Sequence, residues 1–229
     1  MKLTGVMTKL DILIPCYAAN EKLTRCINSI LANTYYPYNL VLTVQKQSVA
    51  ENRNHLLRSG TSPYVAFLDD DVEMPHHWDK HLIECLDQLQ LPNVVDVMGV
   101  KVEKPFIGVV GPRIVGADGS PQNLSSTVEP GTFAVGYVCG AVMVWRRSDW
   151  PNLYADTNFI ASQYEDTDLV MQMLAKGGVP VIDGRVTVTH FNEMKENTPA
   201  TWNQNKAYFH AKWAGFRDSG IVMPRQVSP

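Results

Sequence analysis

The chain has 229 residues, 45% of them hydrophobic and 19% charged, the balance of a soluble globular protein long enough to bury a large core. A formal net charge of -3 argues against a general polyanion binder, although a local basic patch is compatible with it. Cys16, Cys26, Cys85 and Cys139 show no Cys-x-x-Cys spacing and read as reduced thiols of a cytoplasmic protein. No apolar run reaches the length of a membrane span, and Ile12-Leu13-Ile14 is too short for a signal-peptide core.

In chain order, Leu10 to Ile14 reads as a first strand, ended by Pro15. Asn20 or Thr24 caps a helix whose apolar positions Leu23, Ile27, Ile30 and Leu31 recur at helical spacing, closed by Asn33 and Pro37. Asn39 to Val44 is a short strand. Ser48 to Arg58 is a second helix, with Ser48 and Glu51 spaced as a capping box and Gly60 as its stop. Tyr64 to Leu68 is the next strand. This alternation predicts an α/β fold with a parallel sheet.

Trp78 to Leu89 is predicted helical, and Pro92 to Gly111 holds one or two strands. Gly116 to Gly131 is a loop by its Gly, Ser, Pro and Asn content, long enough to serve as a lid. Val135 to Val144 is a strand-like run broken by Gly136 and Gly140. Glu165 to Lys176 is a helix. Val179 to Ile182 and Val186 to Thr189 are two short strands. Trp202 to Trp213 is the last helix, and the tail from Gly220 is expected to be loosely held. There is no internal repeat. One domain is expected.

Three constellations can carry chemistry. The strand Val65-Ala66-Phe67-Leu68 runs into Asp69-Asp70-Asp71, and open α/β sheets bind ligands at the carboxyl ends of their strands. Adjacent carboxylates repel unless they are solvated or neutralised, and their oxygens suit Mg²⁺, Mn²⁺ or Ca²⁺. An EF-hand loop starting at Asp69 fails, because Met74 and Lys80 stand where Gly and Glu are needed. An aspartate-nucleophile phosphatase is an alternative, with Glu73 against it. Glu165-Asp166-Thr167-Asp168 opens a helix, where an acid is either a cap or a general base. His190, at the end of a strand, is either structural or the completion of a metal site. His77 and His81 lack a third ligand and read as a solvated face.

Taken in order, Pro-x-Tyr after a strand, Arg-Asn in a helix, Leu-Asp-Asp-Asp, a Gly-containing strand, Glu-Asp-x-Asp-Leu and a strand ending in His resemble the family 2 glycosyltransferases. The resemblance spans Leu10 to Trp213. It implies the GT-A fold, a Rossmann-like mixed, mainly parallel sheet flanked by helices. It divides the domain into a nucleotide-sugar half (about 10–100), an acceptor and catalytic half (about 101–195) and a C-terminal helix and tail (196–229).

The same resemblance implies an inverting, metal-dependent transfer from a nucleotide diphosphate sugar, with a UDP-sugar favoured and Mn²⁺ or Mg²⁺ as cofactor. Pro15, Cys16 and Tyr17 match the strand end beside the nucleoside. Arg53 and Asn54 match residues that face the nucleotide. Asp69 matches the ribose contact and Asp71 the metal ligand, with Asp70 between them. Gly140 and Glu165 match the acceptor side, Asp166 the catalytic base, and His190 the His that can ligate the metal. Family members often carry Asp-Asp-Gly-Ser after the second strand. Here Val44-Gln45-Lys46-Gln47-Ser48 stands there, which leaves Gln45 or Gln47 to bond the base. The acceptor is a glycan, a metabolite, a protein or a modified nucleic-acid base. A non-catalytic nucleotide-sugar or glycan-binding module is the remaining alternative. Trp145, Trp150 and Tyr164 are either sugar platforms or packing residues.

Overall fold

Leu10–Cys16 forms strand β1, buried along its whole length, with β2 (Tyr38–Val44) and β3 (Tyr64–Leu68) parallel on either side. The computed structural model describes residues 7–97, 99–122, 128–191 and 198–217. Alternation along the strands feeds two cores. Leu10, Ile12, Ile14, Ala66 and Leu68 join one cluster, while Leu13, Val65 and Phe67 join the other.

The helices cover those faces by the same logic. Helix α1 (Glu21–Asn33) starts where the Asn20 side chain accepts from the Lys22 and Leu23 amides, and it buries Leu23, Cys26 and Ile30 in the first cluster. Leu31, expected on that face, is exposed. Helix α2 (Val49–Leu57) has the capping box read from Ser48 and Glu51, worth about 1 kcal/mol, and sets Ala50 and Leu56 in the second cluster. Helix α3 (Trp78–Gln88) buries Trp78, Leu82, Ile83 and Leu86.

The two-residue strand β4 (Val72–Glu73) follows β3, and β5 (Val94–Val97) pairs with β6 (Val100–Glu103) in a separate hairpin. With β7 (Phe106–Val115), the stretch expected to hold one or two strands holds three. The run at 135–144 is divided between β8 (Phe133–Val135) and β9 (Val142–Arg146). The segment between them, containing Gly136 and Gly140, leaves the sheet. After α4 (Glu165–Leu174), one strand, β10 (Gly178–His190), replaces the two predicted. Asp183-Gly184-Arg185 looks like a turn in sequence, but it is absorbed as an irregularity in the β7 register. Buried Asp183 accepts from the Arg185 amide and guanidinium, so the detour stays inside the strand.

Among the described residues the main sheet has eight strands in the order β2-β1-β3-β9-β7-β10-β4, with β8 on β10. The pairs β1–β2, β1–β3 and β7–β10 are parallel, and β9 runs antiparallel between β3 and β7. Consequently the ends of β1, β3 and β10 and the start of β9 share one edge. Helix α5 (Pro199–Lys212) and the short α6 (Ala214–Arg217) complete the chain as described. The tail from Gly220 lies outside the described residues. Among those residues no helix is long and apolar enough to cross a membrane.

Candidate active site

Two acid groups meet at that edge. The first is built by β4 turning back onto the end of β10, which pairs Val72 with His190. Asp71 then lies beside His190, its Oδ1 3.1 Å from Nε2, and its carbonyl accepts from the Phe191 amide at 3.1 Å. Ligand atoms of Asp69, Asp71 and His190 all fall within 4.8 Å of one another. Two carboxylates and an imidazole form a donor set that fits Mn²⁺ or Mg²⁺.

Gln122 supports this group. Its Nε2 donates to the His190 carbonyl at 3.0 Å, which leaves Oε1 facing His190 Nδ1 at 3.1 Å. That arrangement assigns the Nδ1 proton to the Gln122 bond and directs Nε2 at the acids. Burial pushes Asp69 up to about 6, opposed by Arg53 and His190 and assisted by Asp71 and Asp70. Asp70 is raised mainly by burial. Burial would lower His190, but its bond to Asp71 and the three aspartate charges outweigh that and raise it.

The second group is Glu165-Asp166 at the start of α4. Asp166 Oδ2 accepts from the Tyr137 hydroxyl at 2.5 Å and the Gly140 amide at 2.9 Å. Oδ1 accepts from the Thr167 amide at 2.7 Å and the Thr167 hydroxyl at 3.3 Å. Gly140 is required by contact: a Cβ there would lie 2.5 Å from the Asp166 Cβ. Burial and the Asp166 charge raise the Tyr137 phenol well above its ordinary value, so it stays a donor.

Arg53 joins the two groups. It is 1% exposed, and it reaches Asp69 and Glu165 at 3.3 Å each and the Gly140 carbonyl at 3.1 Å. Its Nε and Glu165 Oε2 are buried without a hydrogen-bond partner. Burial would lower Arg53, but Glu165 and Asp69 hold it charged. Burial drives Glu165 up to about 8, with Arg53 pulling the other way.

The segment before Glu165 is strained. Ala161, Gln163 and Tyr164 have φ values of 58°, 80° and 69°, the left-handed region that side chains disfavour. Buried Asn205 of α5 holds it. Its Oδ1 accepts from the Ile160 amide, and its Nδ2 donates to the carbonyls of Ile160, Ser162 and Gln163 at 2.9–3.2 Å. Helix α5 grips both flanks as well. Lys212 reaches Asp156 at 2.7 Å and buried Asp168 at 2.8 Å, and Trp213 donates to Asp168 at 2.8 Å.

The fold thus assembles Asp69, Asp71, His190, Gly140, Glu165 and Asp166 as the sequence suggests. Asp70 borders them. Arg53, expected to face the nucleotide, bonds both acid groups from beneath. Asn54 is engaged by Ala155, whose amide and carbonyl it bonds at 2.8 and 2.7 Å. Pro15 and Cys16 are buried at the end of β1, while Tyr17 is 44% exposed beyond it. Gln45 is exposed, and its amide donates to the Cys16 carbonyl at 3.1 Å. Cys16 and Cys26 are pushed up to about 12 by burial and remain thiols. Trp145 and Trp150 are core residues of the second cluster, and Tyr164 packs toward Trp202 and Phe209. Of the 116–131 loop, residues 123–127 lie outside the described residues. Nothing local in the sequence marks Tyr137, Gln122 and Asn205 as site residues, since each acts through a partner distant in the chain.

Residues 40–108 match the family model described as Glycosyl transferase family 2, a stretch that includes Arg53 and Asp69 to Asp71. The crystal structure of GalNAc-T7 with UDP, GalNAc and Mn²⁺ superposes with a TM-score of 0.61 at 11% identity, covering 90% of this chain and 51% of that one. S. aureus TarS gives a TM-score of 0.62 at 12% identity, covering 89% and 39%, and its 1–349 fragment gives 0.59 at 11%, covering 89% and 65%. This chain therefore spans 39% to 65% of the length of these structures. No curated protein sequence matches it at a significant level. The family model agrees with the resemblance read from the sequence, and the architecture is the GT-A fold.

Proposed function

We propose that this chain is an inverting glycosyltransferase that moves a sugar from a nucleoside diphosphate sugar to an acceptor hydroxyl. The observation that carries the reading is one sheet edge holding both a metal-ligand trio and a hydrogen-bonded aspartate at a helix start, joined by Arg53. Asp71 and His190 hold the cation, Mn²⁺ or Mg²⁺, with Asp69 beside them toward the ribose. A bound divalent cation supplies charge stabilisation to the departing diphosphate.

The protein's own residues do the rest. Asp166 takes the proton of the acceptor hydroxyl as that oxygen attacks the anomeric carbon from the face opposite the leaving group, which inverts the centre. Gly140 and Arg53 fix the position of Asp166 and its neighbour Glu165. The exposed Tyr17 and Gln45, adjacent at the ends of β1 and β2, border the nucleoside. A UDP-sugar is the favoured donor, supported by the UDP held in the GalNAc-T7 structure. The acceptor, a glycan, metabolite, protein or modified nucleic-acid base, approaches from the Gly140 and Glu165 side. The four free cysteines fit a reducing compartment such as the cytoplasm.

A donor screen tests this: nucleotide sugars with Mn²⁺, following released nucleoside diphosphate. Asp166→Asn is expected to lower turnover by about 10²–10⁴-fold while donor binding stays within a few-fold of the original. Retained turnover would sink the base assignment. Transfer indifferent to EDTA would remove the metal from the mechanism. Phosphate released from simple esters without any sugar acceptor would favour a phosphatase instead.

A further inference from the structure

A carboxylate offers about four lone-pair directions, and on Asp166 both of those on Oδ2 are taken. Tyr137 and Gly140 occupy Oδ2, the Thr167 amide holds Oδ1, and the Thr167 hydroxyl, with one proton, stands 3.3 Å from both Oδ1 and the Tyr137 oxygen. A general base needs a lone pair aimed at the proton it will take. A donor must therefore leave Oδ2 before that oxygen can take a proton.

The four donors differ in how readily they can do so. Two are backbone amides, fixed by α4 and by the approach of Gly140 to the Asp166 side chain. The Thr167 hydroxyl is held locally, one residue along the same helix. Tyr137 stands on the 136–141 segment between β8 and β9, outside regular structure. At Gly136, its chain neighbour, a Cβ would meet nothing within 4 Å. Tyr137 also makes the shortest of the four bonds, and it alone has the chemistry of the awaited acceptor at short range: an O–H donated to a carboxylate at 2.5 Å.

Resting on the assignment of Asp166 as base, we propose that Tyr137 discriminates between acceptor and water. Its phenol occupies the acceptor hydroxyl's place on Asp166 until an acceptor displaces it, so that water is not activated there in the meantime. The suppressed reaction is donor hydrolysis. Asp166 would take a proton from water while the water oxygen bonds the anomeric carbon. The bond from that carbon to the diphosphate oxygen would break, and its electron pair would leave with the diphosphate, giving free sugar.

The test compares full-length wild type with Tyr137→Phe, which keeps the ring and removes the hydroxyl. A panel of UDP-, GDP- and dTDP-hexoses is supplied with Mn²⁺ and no acceptor, and released nucleoside diphosphate is measured. The variant is expected to release it about tenfold faster with the donor the protein uses. Release no faster than wild type across the whole panel overturns the proposal. Thr167→Val loosens the same hydroxyl, which bonds Tyr137 at 3.3 Å. It is expected to give a smaller rise and decides the matter in the same way if Tyr137→Phe does not fold. Intact mass is read in parallel: a hexose added to wild-type Tyr137 overturns the proposal, because the phenol is then itself an acceptor. Adding Asp166→Asn to Tyr137→Phe should abolish the release. Release that survives it brings down the base assignment together with this proposal. No rise in Tyr137→Phe, while Asp166→Asn alone still stops transfer, brings down this proposal only.

Discussion

The donor-side and catalytic-side acids share an edge of the sheet but are provisioned in opposite ways. Asp69, Asp70 and Asp71 come consecutively off β3, with Arg53 on Asp69, His190 on Asp71 and the Lys22 charge acting on Asp70. Burial and mutual repulsion push Asp69 up to about 6. A divalent cation would add positive charge to this side. Asp166, at the first turn of α4, instead has both lone pairs of Oδ2 met by an O–H and an N–H donor and Oδ1 held by the Thr167 amide. One side is organised to receive a ligand. The other already carries its donors, one of which, in our proposal, an acceptor displaces.

Arg53 is where the two sides touch, so its removal is expected to have the largest effect on stability. Arg53→Met strands Asp69 and buried Glu165 without their cation. Breaking a buried pair this way costs about 3–5 kcal/mol. The denaturation midpoint should fall accordingly, with donor binding and transfer impaired together because Gly140 loses its tether as well. A variant as stable as wild type would show that Arg53 does not brace the two sides. Next in size is Gln122→Ala on the donor side alone. With Gln122 gone, His190 loses the contact that orients its ring. Mn²⁺ affinity, followed by electron paramagnetic resonance, should weaken about 10–100-fold. Unchanged affinity would remove Gln122 from the metal group.

The two sides were also unequally legible in the sequence. The donor acids follow a strand of four buried residues, and that local pattern alone puts them at a sheet edge. Asn20 and the Ser48–Glu51 box mark their helices because capping acts over three residues. On the other side Glu165-Asp166 is legible at its helix start, but the residues that hold it are not. Tyr137 meets Asp166 from 29 positions away, and Asn205 meets Ile160 from 45. Nothing in Ala161-Ser162-Gln163-Tyr164 announces left-handed backbone, which persists because a distant asparagine pays its cost in hydrogen bonds. Arg53 lies in the expected helix, and there it bonds Asp69, Glu165 and the Gly140 carbonyl. An Arg-Asn pair in a helix does not say which side chain ends in the cleft and which beneath it. The single strand β10 was hidden for a related reason, since Asp183 satisfies its own neighbourhood and so resembles a turn.

The smallest expected effect separates the grip of α5 on the catalytic side from everything on the donor side. Burial alone would raise Asp156, but Lys212, the Asn158 amide and Tyr208 outweigh it and hold the carboxyl down to about 2, against 3.8 ordinarily. A depressed carboxyl contributes stability above its unfolded value, and that contribution is lost as pH falls through the folded one. The window is therefore about pH 4 down to pH 2. Lys212 is partly exposed, with a side-chain accessibility of 27%, so solvent screening limits the pair to under about 1 kcal/mol. In a chain of this size that is about 2–4 °C in Tm. Melting curves of wild type and Asp156→Asn should differ by this amount at pH 5 and converge toward pH 2. A difference that persists at pH 2 would mean that Asp156 acts through its shape and neutral hydrogen bonds rather than its charge.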